Sequence, residues 1–391
     1  MNIFWPKNEL TFEENIDVLS KQSINEPFAQ ETLEFIKALS KRFLTQKKKP
    51  EIVALGYWLR KSNIVAMKQH FYEGNTGILI KPRGTTFHIA PSNVDTIFVY
   101  SWLLSMLAGN RNVIRVSSKA AKNNLLKIIL EELKCNEKIG SQTIICTYPH
   151  DGKATELISN KCHTRVVWGG NQTVNVIRSI PLSPLANELV FANRFSIAVL
   201  NSKIIEQLDN ESFENLIDRF YNDSYWFNQM ACSSPRLVIW VGEKSVEFWN
   251  RIELKVKQKQ FEFDGATQVT KLATSLMLAN DQDVKKIDSK PIFSRIELLS
   301  MNEKLRESHC GNGIFYEYET NSLNSVTHLI SDADQTLTYY GFNEEELQKF
   351  AKNIESRGID RIVPVGQALD FNSVWDGQEF LTSFTRKVVI K

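Results

Sequence analysis

A chain of 391 residues, 42% hydrophobic and 10% aromatic, is longer than one compact core accommodates and predicts two lobes. Its 47 basic and 45 acidic side chains leave a formal charge of +2, so the balance gives no reason to expect nucleic acid or an anionic membrane as partner. The five scattered cysteines, Cys135, Cys146, Cys162, Cys232 and Cys310, include no Cys-x-x-Cys pair, which argues against a disulfide framework or a structural zinc site and for a reducing compartment.

The opening Met1-Asn2-Ile3-Phe4-Trp5-Pro6-Lys7 lacks the apolar core and small-residue cleavage site of a secretion signal. The longest apolar run, from Ile97 to Gly109, is about thirteen residues, short of the roughly 20 that span a bilayer. A cytoplasmic protein is the expectation. From Asn8 to Lys49 the chain is polar and helix-prone, with Leu33, Ile36, Leu39 and Phe43 spaced for an amphipathic helix. Past Pro50, helical patterns alternate with short β-branched runs, the pattern of βαβ units and a mostly parallel sheet. Gly77-Ile78-Leu79-Ile80-Lys81 and Thr86-Phe87-His88-Ile89-Ala90 read as strands, and Pro91-Ser92-Asn93 breaks the second. Residues 94–107 read as a buried helix stopped by Gly109-Asn110. A strand over residues 112–118, a helix over 119–133, and strands over 143–147 and 165–168 follow. Arg194-Phe195-Ser196-Ile197-Ala198-Val199-Leu200 reads as the strand that closes the first lobe.

The second lobe holds Ala231-Cys232-Ser233-Ser234-Pro235-Arg236, between an aromatic helix-like segment and the β-branched run Leu237-Val238-Ile239-Trp240-Val241. A cysteine among small residues at such a junction can have backbone N–H groups facing its sulfur and is placed to attack a carbonyl. Taken alone, it fits a small buried apolar residue at least as well. Arg236 reads as structural, and Trp168, Trp226, Trp240 and Trp375 as packing residues.

Together with His88-Ile89-Ala90-Pro91-Ser92-Asn93-Val94, the run Asn228-Gln229-Met230-Ala231-Cys232-Ser233-Ser234-Pro235-Arg236 resembles the LuxC-type acyl-CoA reductases of the aldehyde dehydrogenase superfamily. Further support comes from Ala108-Gly109-Asn110-Arg111-Asn112-Val113-Ile114-Arg115-Val116-Ser117-Ser118, from Val167-Trp168-Gly169-Gly170, and from Arg361-Ile362-Val363-Pro364-Val365-Gly366-Gln367-Ala368 near the end. The resemblance implies an α/β, aldehyde dehydrogenase-like fold of two lobes with a cleft between them. Residues 1–50 would form an N-terminal helical segment, 51–200 a nicotinamide-cofactor-binding domain, 201–340 a catalytic domain, and 341–391 a segment returning to the cofactor lobe. Self-association and an acyl-activating synthetase as partner are also implied.

By the same resemblance Cys232 is the nucleophile, and Asn93 with the Cys232 N–H holds the oxyanion, although Asn93 also suits a helix N-cap. Ser92, Arg115, Ser117, Ser118, Gly169 and Gly170 would bind the cofactor. The Gly-x-Gly-x-x-Gly fingerprint is missing, so a dinucleotide is either absent or held as in the aldehyde dehydrogenases. Ser118 replaces the acidic residue that bonds the adenosine ribose in NAD-dependent members, with Lys119 next and Arg115 close. Cations without a carboxylate favour a 2′-phosphate, hence NADPH over NADH. His88 reads either as a proton donor to the departing aldehyde or as a satisfied core histidine, and Glu188, near the superfamily's general-base position, as a structural residue as readily as a base. The implied activity is reduction of an acyl-CoA or acyl-protein thioester to an aldehyde. An acyl-phosphate reductase of the same fold and a cofactor-free acyl carrier are the alternatives.

Overall fold

The computed structural model describes every residue except 48, 76, 92–95, 119–122, 150–152 and 391. The chain divides into two units: Met1–Asn193 with Phe371–Lys391, and Arg194–Asp370. β-Branched runs set the strands of the first: β1 (Asn2–Trp5), β2 (Leu79–Pro82), β3 (Thr85–Ile89), β4 (Arg111–Arg115), β5 (Thr143–Thr147), β6 (Thr164–Trp168) and β7 (Asn187–Phe191). Among the described residues, six of them make one sheet in the order β1-β5-β4-β3-β6-β7. All neighbours are parallel except β1, which lies antiparallel on β5. A parallel sheet covered on both faces needs apolar strands without alternation. β3 and β6 meet that, buried at every position. The helix Ile97–Leu107, apolar all round, is likewise buried at all of its residues, as a run of that kind predicts.

Chain order runs outward from β3 through β4 to β5, then reverses and continues from β6 to β7 on the other side. In open α/β sheets such a reversal opens a crevice beyond the carboxyl ends of the strands. Residues 85–91, 115–118 and 168–170 end there.

The second unit holds β8 (Phe195–Asn201), β9 (Leu237–Val241), β10 (Val284–Ser289), β11 (Ser294–Leu298), β12 (Ile314–Thr320), β13 (Asp334–Tyr340) and β14 (Arg361–Pro364), ordered β10-β11-β12-β9-β8-β13-β14. Only β10 is antiparallel to its neighbour. Both faces are buried: Ala198, Leu200, Val238 and Trp240 pack into one core, and Ile197, Val199, Leu237 and Ile239 into the other. The helix Asn210–Tyr225, capped by Asp209 accepting from Ser212 N at 2.7 Å, covers the first of these with Phe213, Leu216, Ile217 and Phe220.

The remaining strands, β15 (Val374–Trp375), β16 (Gln378–Glu379) and β17 (Thr385–Val388), return to the first unit. There β17 pairs antiparallel with β2, Arg83 Nε donates to Ser383 O at 2.8 Å, and Phe380 stacks 5.2 Å from Phe191, which lies face to face with Trp168 at 3.9 Å.

One expectation is corrected. The strand beginning at Phe195 does not close the first sheet; it is central in the second, flanked by β9 and β13. Its fully apolar pattern suits any strand buried on both faces and carries no mark of which sheet it joins. The helix-prone N-terminal stretch holds two helices, Phe12–Lys21, started by the capping box of Thr11 and Glu14, and Gln30–Leu44, the amphipathic helix that Leu33, Ile36, Leu39 and Phe43 announced. Ahead of them, Asn2–Trp5 supplies an edge strand that four residues were too few to announce. None of the helices among the described residues is long and apolar enough to cross a membrane.

Candidate active site

The Cys232 loop leaves the helix at Tyr225 and joins β9 at Leu237. Asn228 and Gln229 both adopt left-handed backbone, φ 52° and 60°, which reverses the chain. Asn accepts that region readily; Gln does not. The Gln229 side chain offsets the cost, because its fully buried amide donates from Nε2 to Pro235 O at 2.8 Å and accepts through Oε1 from Gly313 N at 3.0 Å. Asn312 N donates to Asn228 O at 2.9 Å, so the turn before β12 is laced to the loop. Ser234 N closes a turn on Ala231 O at 3.1 Å, leaving Cys232 and Ser233 at its centre. Ser196 of β8 grips the segment at two points: its Oγ donates to Cys232 O at 2.7 Å, and its carbonyl accepts from Arg236 N at 2.9 Å. Cys232 itself is half-buried.

Burial holds the Arg236 guanidinium down, against the pull of the Cys232 and Cys310 sulfurs and the Tyr316 hydroxyl. His309 is held well below its usual range by burial, then by the charge of Arg236. Gly311 N donates to its Nδ1 at 3.0 Å and Ile314 O lies 3.0 Å from Nε2, so Nε2 carries the proton and the ring is neutral. Lys271, pushed down to about 8 by burial, gives its ammonium to the carbonyls of Lys290, at 2.8 Å, and Pro291. Trp226 packs against the core and donates from Nε1 to Asn222 Oδ1 at 3.0 Å.

In the first unit, Arg115, Ser117 and Ser118 follow one another off the carboxyl end of β4, and Gly169 and Gly170 follow β6, with β3 between the two strands. Arg115 Nη2 donates to Tyr148 O at 3.3 Å, and its guanidinium lies 5.6 Å from the Tyr148 ring centroid. Ser117 is buried and Ser118 exposed. The turn at Gly169 is tight: an added Cβ would sit 3.0 Å from Thr173 Cγ2. Ser92, Asn93 and Lys119 lie outside the described residues.

His88 as proton donor is corrected. The ring is fully buried, with Nδ1 3.0 Å from Ser101 Oγ and Nε2 3.1 Å from Asn112 Oδ1. Asn112 Nδ2 donates to Asn110 O, which fixes its Oδ1 as acceptor, so His88 carries its proton on Nε2 and accepts at Nδ1. Burial lowers it to about 4. It is a core histidine with both nitrogens engaged, its one N–H held by Asn112. Glu188 is likewise engaged, by Arg165 Nε at 2.7 Å on Oε1 and Arg178 Nε at 3.2 Å on Oε2. Gln229 and Ser196 were missed as functional. The signal for Gln229 was its place beside an asparagine in a turn, but nothing local marks Ser196, whose partner is 36 residues away.

The family model described as acyl-CoA reductase (LuxC) matches residues 64–264, just over half of the chain. The chain belongs to the LuxC acyl-CoA reductase family. Within that family it is similar to the long-chain acyl-protein thioester reductase of Vibrio harveyi, 22% identical over 309 residues, which cover 75% of this chain and 61% of the relative. The chain therefore matches about three-fifths of that protein's length. Among solved structures, aldehyde dehydrogenase 21 from Physcomitrella patens superposes with a TM-score of 0.69 at 9% identity, over 97% of this chain and 90% of that one. Glyceraldehyde-3-phosphate dehydrogenase GapN from Methanocaldococcus jannaschii, complexed with NADP, gives 0.65 at 13%, over 96% and 92%. At those identities the likeness is one of fold, and the aldehyde dehydrogenase-like α/β architecture implied by the sequence holds.

Proposed function

We propose that this LuxC-family chain reduces an acyl thioester, carried by coenzyme A or by a protein, to an aldehyde, with NADPH as reductant and a thioester on Cys232 as intermediate. The main support is the reach of the family match, which takes in both the carboxyl-end edge of the first sheet and the whole Cys232 loop. The Vibrio harveyi relative's name favours a protein-bound acyl donor, supplied in this reading by an acyl-activating synthetase.

The Cys232 thiolate attacks the acyl carbonyl, and the thiol of the donor departs. Asn93 and the Cys232 N–H would hold the oxyanion, with the brace through Gln229 and Ser196 keeping the loop backbone still while charge develops. Arg115, Ser117, Ser118, Gly169, Gly170 and Ser92 would hold the dinucleotide. Their chemistry fits one bearing a 2′-phosphate: a guanidinium and hydroxyls at the end of β4, and a glycine turn where an added Cβ would press on the Thr173 side chain. When bound, NADPH supplies the hydride. His88 and Glu188 take no part.

The test is intact-protein mass spectrometry after incubation with acyl-CoA, acyl-protein or acyl phosphate without NADPH. A thioester adduct on Cys232 from a thioester donor, discharged as aldehyde on adding NADPH and much less by NADH, is the expected result. An adduct that NADPH leaves in place would indicate an acyl carrier, and adduct formation from acyl phosphate alone an acyl-phosphate reductase.

A further inference from the structure

We infer that the backbone N–H of Ser233 is an oxyanion donor for the acyl group on Cys232, and that Ser196 is the residue that positions it. The inference rests on the reading of Cys232 as nucleophile and adds a catalytic group to that site.

The observation behind it is an orphaned donor. Ser233 is only 1% exposed, and among the described residues its N–H meets no acceptor. A buried backbone N–H left so is rare in a folded chain and costly to keep. The groups on either side are satisfied: Ser234 N donates to Ala231 O at 3.1 Å, and the Cys232 carbonyl accepts from Ser196 Oγ at 2.7 Å. One residue on, the Ser234 hydroxyl is also buried and has no partner. Two unmet polar groups in a row, directly after the nucleophile, mark a place where an atom of a ligand completes the set.

The turn gives the orphan its direction. Cys232 and Ser233 are the central residues of the hydrogen-bonded turn 231–234, and neither has positive φ, so the turn is of type I. In that type the first central residue has ψ of about −30°, which brings the Cys232 and Ser233 nitrogens nearly into eclipse and points their N–H groups the same way. The peptide between them is trans, so the Ser233 N–H lies opposite the Cys232 carbonyl. Ser196 pins that carbonyl against β8 and is itself pinned: its Oγ accepts from Thr336 N of β13 at 3.2 Å, and its carbonyl takes the Arg236 N–H. Tyr316 N donates to Arg236 O at 2.9 Å and secures the far end of the segment. The Ser233 N–H is therefore turned away from β8, alongside that of Cys232.

As the Cys232 sulfur bonds to the acyl carbon, the carbonyl pair moves onto oxygen; its return expels the thiolate of the donor, which takes up a proton. Full negative charge sits on that oxygen only between the two events, so fixed N–H groups aimed at it act on the transition state more than on the thioester. An N–H one residue past the nucleophile does this work in other acyl-transfer sites.

The test compares two reactions of one thiolate: acylation by acetyl-, octanoyl- and palmitoyl-CoA, which passes through the oxyanion, and alkylation by iodoacetamide, which does not. Both rates are read at Cys232 by peptide mass spectrometry without NADPH, and their ratio is independent of how much thiolate is present. An amide-to-ester replacement at residue 233, introduced as the α-hydroxy acid, removes the N–H and should lower the ratio about a hundredfold. Ser196→Ala should lower it about tenfold, and Ser196→Thr, which keeps the hydroxyl, should restore it. A merely structural role would slow both reactions together. An unchanged ratio in the folded ester protein overturns the inference; if that protein does not fold, equal ratios in Ser196→Ala and parent overturn it. A Cys232 that is alkylated but takes an acyl group from none of the donors overturns the inference together with the proposed function, whereas an adduct that forms as expected and is left in place by NADPH overturns that function alone.

Discussion

In the first unit the residues assigned to cofactor binding follow β4 and β6, at the carboxyl ends of parallel strands, whereas in the second the Cys232 loop precedes β9, at the amino ends. The two edges of a parallel sheet differ in field. Beyond the carboxyl ends helices begin, and their free N–H groups and dipoles suit phosphate. Before the amino ends helices finish: Asn210–Tyr225 ends immediately ahead of the loop, with its carbonyls and partial negative charge on that side. The parallel-sheet edge thus offers free N–H groups where a nucleotide would lie, whereas the Cys232 loop is shaped by side chains, with Gln229 and Ser196 bracing its backbone.

That contrast is open to attack in order of effect. Cys232→Ser should reduce aldehyde formation by about a thousandfold or more and abolish the adduct, while stabilisation of the protein by NADPH in thermal unfolding stays unchanged. Equal turnover would remove the nucleophile. Gln229→Ala strands the Pro235 carbonyl and the Gly313 N–H in the interior, a loss of about 2–4 kcal/mol in denaturant unfolding that should also slow acylation without touching cofactor binding. Arg115→Glu should weaken NADPH about 10- to 100-fold in a binding titration, leaving NADH and Cys232 acylation as they were. An equal loss for both cofactors would assign Arg115 to the scaffold.

The smallest effect is a pH dependence confined to the first unit. His88 has its folded value lowered from 6.5 to about 4, so the stability it contributes is whole above pH 6.5 and is lost as pH falls towards 4. Between pH 6.5 and 5 that amounts to about 2 kcal/mol. His88→Gln, which keeps a polar side chain but does not titrate, should flatten this part of the unfolding profile; an unchanged slope would place the titrating group elsewhere.

Much of the first sheet was legible because β3 to β6 are short β-branched runs bounded by Pro91, Gly109 and Gly169, and the buried helix at Ile97–Leu107 because it is apolar on every side. What escaped was non-local. Phe195–Asn201 has a pattern that fits either sheet, and only pairing with Leu237–Val241 and Asp334–Tyr340 decides. His88 is ambiguous until Ser101 and Asn112 fill its two nitrogens. The Cys232 run could be recognised as a motif, but its mechanics depend on Ser196, Gly313 and Tyr316, which come from three other strands or turns.

The pairing of β2 with β17, where Arg83 reaches Ser383, ties together positions 300 residues apart, with the whole of the second unit strung between them. Closing so long a chain costs less entropy once the intervening residues have collapsed. A protease cut anywhere inside the inserted unit would turn that intramolecular closure into an encounter between two fragments.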